Sequence, residues 1–171
     1  MHRRTILILT LCLFMAVTVR GQATLTASVY AEVTEILTAS ETDQLNFGRF
    51  APEDEGGKVI ITPEGMRTAQ GRVYLAHGDF HSPGRFKVVG IPNANISIEL
   101  PVGDVMLSNQ NSGQYMLVHE WVTMPPASEN VKIKENGSLE ISLGATLTVG
   151  PIDKNPVGMY AGTFSLTFAY N

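Results

Sequence analysis

Apolar side chains recur at every second residue in short runs along this chain of 171 residues, and glycine, proline, asparagine or aspartate separates the runs. From Ala23 onward, Leu25, Ala27, Val29, Ala31 and Val33 fall on one side, with Thr24, Thr26, Ser28, Tyr30 and Glu32 on the other. A period of two marks an extended strand with one buried face, because successive side chains of a strand point to opposite sides. The period returns at Val73 and Leu75, at Phe86 and Val88, and at Ile96, Ile98 and Leu100. It returns again at Leu139, Ile141 and Leu143, and at Phe164, Leu166, Phe168 and Tyr170. Turn formers lie between the runs at residues 54–57, 63–65, 82–84, 92–95, 109–113, 136–137 and 155–158. Many short strands at this spacing, with no long helical period after the first twenty residues, read as an all-β protein of the β-sandwich kind.

Residues 1–21 have a different character. Met1, His2, Arg3 and Arg4 precede a stretch from Ile6 to Val19 with almost no polarity, the pattern of an export signal and too short for a comfortable membrane span. Val19 and Gly21 are small residues at the positions a signal peptidase reads, so cleavage is expected after Gly21, leaving residues 22–171 as a single β-sandwich domain. Export places that domain in the periplasm, at the cell surface or outside the cell, with no membrane insertion once the signal is removed. The only cysteine, Cys12, leaves with the signal, and Leu11 before it is not the small residue that lipidation requires. The exported domain is then held by its core alone, which a chain of this length can supply. Loss of Arg3, Arg4 and Arg20 without loss of any acid moves the net charge from −4 to −7. That balance speaks against nucleic acid and anionic membrane surfaces, which need clustered Lys and Arg.

Few residues suggest chemistry. His77, Asp79 and His81 alternate in one short segment and offer two imidazoles and a carboxylate, a set that holds zinc when a fixed outer shell supports it. They run into Ser82, Pro83 and Gly84, so a solvated loop is the favoured reading, and no metal, cofactor or catalytic residue is assigned. By simple alternation His119 shares a face with Leu117 and Trp121, while Glu120 faces with Val118. Trp121 and Tyr115 could stack on a sugar, although a lone tryptophan in a sandwich more often fills the core. Glu53, Asp54 and Glu55 beside Gly56 and Gly57 read as a solvated loop tip. There is no nucleophile elbow, no glycine-rich phosphate loop and no paired cysteine spacing, so no enzyme is expected.

Four stretches together resemble one family. They are Leu45, Asn46, Phe47 and Gly48 with Phe50, Ala51 and Pro52; residues 59–65, ending Thr62, Pro63, Glu64, Gly65; residues 144–150; and residues 162–171, ending in Tyr170 and Asn171. The resemblance is to bacterial secreted domain-of-unknown-function family 4402, which is in turn similar to the spore-coat-U-like pilin domains of archaic chaperone–usher fibres. It implies an immunoglobulin-like β-sandwich that lacks one strand and is completed by strand exchange, with self-association or other surface subunits as partners and a periplasmic chaperone. Such pilins usually carry a disulfide near the position held here by Ile61, Thr62 and Pro63. The inward residues Leu25, Ala27, Val29, Ala31 and Val33 would form the donor strand, and Phe164, Leu166 and Phe168 the acceptor groove. The function implied is a structural, non-catalytic subunit of a cell-surface or fimbria-like assembly. The alternative is a secreted monomeric module that binds carbohydrate or protein.

Overall fold

The computed structural model describes residues 28–32 and 36–171. The expected export signal and residues 23–27 and 33 of the first alternating run lie outside the described residues. Thr34–Asn171 forms one compact unit, which holds all the strands described below.

The described residues contain eleven strands and no helix: β1 Thr38–Asp43, β2 Phe50–Ile61, β3 Arg67–Leu75, β4 Gly84–Val89, β5 Asn95–Glu99, β6 Val105–Asn109, β7 Tyr115–Met124, β8 Val131–Lys132, β9 Ser138–Val149, β10 Tyr160–Ala161 and β11 Thr167–Tyr170. All pairings are antiparallel. One eight-stranded sheet runs in the order β1-β4-β9-β7-β6-β10, with β2 joining β9 to β3, and a three-stranded sheet runs β11-β5-β8. The protein is therefore an all-β, sandwich-like fold.

Strand β9 is the spine. Along one edge its residues 138–143 pair with β4 and residues 145–149 with β2, while residues 142–148 pair with β7 along the other. Its alternating Leu139, Ile141, Leu143, Ala145, Leu147 and Val149 are all buried, as the period of two requires. Gly144 faces the other way beneath residues 61–63, where an added Cβ would collide with the Ile61 carbonyl, so only glycine allows this close approach.

Two apolar clusters form the core. The first gathers Val59, Ile61, Met116, Val118, Leu147 and Phe47; the second gathers Val88, Ile96, Ile98, Ile133, Leu139 and Ile141. Val88, Ile96, Ile98, Leu139 and Ile141 of the second cluster come from the alternating runs, whereas the named residues of the first cluster lie outside them.

Four sequence expectations change. Residues 28–32 form no strand, and Val29 is 92% and Tyr30 91% exposed, because an extended segment has no ladder to hold it without a partner edge. The acidic residues 53–55 are not a loop tip but part of β2, where the register jumps between Pro52 and Gly57. Gly56, at φ 71°, lets the strand bend there without ending, and Arg72 pairs with Glu53 at 2.7 Å. The last strand begins at Thr167, not at Thr163. Trp121 and His119 do not share a face, since β7 carries a bulge between His119 and Val122 with Glu120 at φ 53°. Beyond that bulge the alternation is inverted, so Trp121 packs on the first core cluster with Val118, and His119 bonds the Thr148 hydroxyl at 2.7 Å.

Candidate functional site

The chain leaves β10 in the large sheet at Ala161 and joins the small sheet at Thr167. Between them, Thr163, Phe164, Ser165 and Leu166 have no main-chain hydrogen bond with any other described residue. Their side chains still alternate: Phe164, Leu166, Phe168 and Tyr170 are half-buried, while Thr163, Ser165, Thr167 and Ala169 are exposed. Strand β11 pairs with β5 along one edge and is the outermost strand of its sheet, so among the described residues its other edge is open. The expected acceptor residues Phe164, Leu166 and Phe168 thus lie in one row beside an edge that no described strand pairs with. Unpaired N–H and C=O groups next to a partly buried apolar row are what strand addition uses.

Aromatic packing fixes the Phe164 end of this row. Its ring lies 5.1 Å from that of Trp121 and meets Phe86 edge-on at 6.4 Å. A cavity of about 550 Å³ opens beside it, walled by Glu99, Leu100, Pro101, Val105, Thr163 and Phe164. At the other end the Tyr170 hydroxyl accepts the Ile91 N–H at 2.9 Å, and Phe168 and Tyr170 pack on the second core cluster. Trp121 Nε1 and Thr123 Oγ1, two residues apart on β7, are buried and have no hydrogen-bond partner among the described residues.

The His77–His81 segment is organised by Asp79. Its carboxylate accepts the Arg49 N–H and Nε, the latter at 3.1 Å, and Arg67 Nη1 approaches it at 3.9 Å. The Arg49 N–H holds the Asp79 carboxyl below its ordinary pKa, against an opposing effect of burial. This carboxylate is committed to two arginines, and among the described residues no three His, Cys, Asp or Glu side chains are grouped to hold a metal ion. On the outer face, Glu120 is held ionised chiefly by a hydrogen bond from Thr146, with Lys58 at 3.5 Å adding to it. A second cavity, of about 450 Å³, lies against Glu120, Val122, Met124, Ile60 and Glu64. Tyr115, near the start of β7, stands six residues from Trp121 with the bulge between, so the two rings offer no common platform.

The sequence reading did not single out Arg49 and Arg67; it did single out Trp121, which packs on the core as its favoured reading had it, but on the face opposite His119. Arg67 carried no local signal, because its partners lie in segments far away along the chain. Trp121 was assigned to the wrong face because a bulge leaves no trace in simple alternation.

The fold and site define a class: an all-β sandwich-like domain in which, among the described residues, β11 carries an apolar row beside an edge without a pairing strand. Residues 37–170 match the family described as Domain of unknown function (DUF4402), and the chain belongs to that family. No curated protein and no solved structure matches the chain.

Proposed function

We propose that this protein is a structural, non-catalytic subunit of a bacterial cell-surface or fimbria-like assembly, joined to its neighbours by exchange of an N-terminal strand. The observation that carries this reading is a mismatch within one chain. Among the described residues no strand pairs with the edge along residues 163–170, while Val29, the central inward residue of the expected donor run, is almost fully exposed. An edge without a described partner and a segment, residues 28–32, that forms no strand in the described structure favour pairing between copies. The similarity of the family to spore-coat-U-like pilin domains and the signal-like residues 1–21 support the same reading, with export through a periplasm and a chaperone as an intermediate partner.

The test is a chain lacking the residues before Thr34, mixed with a peptide copying residues 23–33. Binding of the peptide with a rise in melting temperature is expected, together with loss of self-assembly by the shortened chain. A complete exported chain that stays monomeric at high concentration and on the cell surface, with its N-terminus protected from proteolysis, would sink the exchange and leave a self-contained binding module.

A further inference from the structure

The outer face of the large sheet carries a groove that strand exchange does not use. One wall is the β2–β3 turn, closed where the Gly65 N–H bonds the Thr62 carbonyl at 2.9 Å, and the other is the end of β7. The cavity between them, of about 450 Å³, is floored by Ile60, Val122 and Met124, the last two 54% and 48% exposed. These side chains point outward because Ile60 stands opposite Thr146, Val122 opposite Gly144 and Met124 opposite Ser142, the positions of β9 that face away from the core. Two carboxylates stand over the floor. Glu120 reaches it from the bulge, at a φ of 53° that is uncommon outside glycine, and is paired with Lys58 at 3.5 Å. Glu64, on the other wall, makes no ion pair among the described residues. A hydrogen bond from the Thr62 hydroxyl holds its carboxyl below the ordinary value, so it is charged at neutral pH.

We infer that this groove docks a separate, basic protein through a lysine or arginine side chain, its hydrocarbon stem lying across Val122 and Met124 and its charge at Glu64. Lysine and arginine lay their stems along apolar surface while the charged head stays in water, so one such side chain complements both the floor and the wall. Glu120 serves the same end by pairing with Lys58, which cancels the cation that would repel an arriving charge. A second copy is the poorer occupant. The chain has sixteen acidic residues against twelve basic ones, and three of the basic ones lie in the expected signal, so its copies repel one another overall. The inference does not depend on strand exchange, because the groove lies on the large sheet and the β11 edge belongs to the small one.

The test follows the fluorescence anisotropy of a labelled five-residue peptide of alternating lysine and leucine, mixed with the exported chain. Glu64→Gln should weaken binding about threefold, the size of one exposed ion pair, and Val122→Asn by a similar factor. The two together should weaken it about tenfold, and added salt should weaken the parent's binding more than that of Glu64→Gln. Glu41→Gln removes the same charge from β1, outside the groove, and should change nothing. Glu64, Val122 and Glu41 are all exposed, so each variant should melt with the parent. Equal weakening by Glu41→Gln and Glu64→Gln would reduce the binding to overall charge and overturn the site, as would binding that ignores Val122→Asn. Loss of self-assembly by the Glu64→Gln, Val122→Asn chain would put a second copy in the groove and overturn the separate partner. Failure of the peptide to bind removes the inference and leaves strand exchange untouched.

Discussion

The Arg67 guanidinium donates to the carbonyl of Phe47 at 3.0 Å, joining residues twenty positions apart in the chain. Its other nitrogen donates to the Ala76 carbonyl at 2.8 Å, and the side chain is only 6% exposed. The same contact explains Gly48, which takes φ 72° and whose amide donates to the Asn46 side chain at 2.8 Å: a Cβ at Gly48 would strike Arg67 Nη1. Leu45, Asn46, Phe47 and Gly48 thus form a sharp turn that sinks Phe47 into the core and is locked from behind by a buried arginine.

Replacing that arginine should be costly. Arg67→Ala leaves the Phe47 and Ala76 carbonyls without their donor and takes one ion-pair partner from Asp79, for an expected loss of about 3 kcal/mol. Arg67→Lys should recover part of it, since an ammonium cannot span both carbonyls as the planar fork does. Gly48→Ala should destabilise the fold by about 2 kcal/mol, from backbone strain and the collision together. Urea unfolding of the three variants gives the comparison, and an unaffected Arg67→Ala would show that the lock is dispensable.

Asp79 makes the same lock sensitive to acid. Its folded pKa lies below the ordinary value of 3.8, so its contribution is fully present above that value and is lost as pH falls below it toward the folded pKa. Asp79→Asn should unfold more readily than the parent at pH 7, and the difference should shrink as pH is lowered through that window. Melting curves at a series of pH values test this, and a difference that stays constant with pH would exclude the carboxylate as its source.

The Glu120 bulge places one extra residue between His119 and Trp121. Deleting Glu120 takes out the extra residue, so Trp121 follows His119 in plain alternation and keeps its inward face: tryptophan emission should stay unshifted although the bulge is gone, and a red shift would show that the bulge itself holds the indole inward. Glu120→Gly keeps the bulge and relieves the positive φ, so stability should change by less than about 1 kcal/mol. Emission spectra and urea midpoints of the two variants separate the effect of position from that of the side chain.

Assembly should respond to one face of residues 23–33 and not the other. A carboxylate buried without a partner costs several kcal/mol, so Val29→Asp should abolish polymerisation, while Thr26→Asp on the opposite side should be tolerated. Sedimentation of the two exported chains measures this, and equal assembly by both would remove the inward role of Val29.

Much of this fold was legible because it is local. Val73, Val88, Ile96, Ile98, Ile141 and Leu143 fall inside strands with buried side chains because period-two alternation depends only on neighbours two residues away. The turns at residues 63–65, 109–113 and 136–137 follow from the backbone freedom of glycine and the local hydrogen bonds of asparagine. The row of Phe164, Leu166 and Phe168 was visible for the same reason. What tertiary structure alone decided is every feature that needs a distant partner. The face of Trp121 depends on a bulge matched to β9, and the strand character of the acidic residues 53–55 depends on β3 and Arg72. Arg67 acquires its role only when Phe47, Ala76 and Asp79 are folded around it. Alternation specifies that a strand will form and which side it buries, but pairing energies between remote segments choose its neighbours, its register and the edge left open.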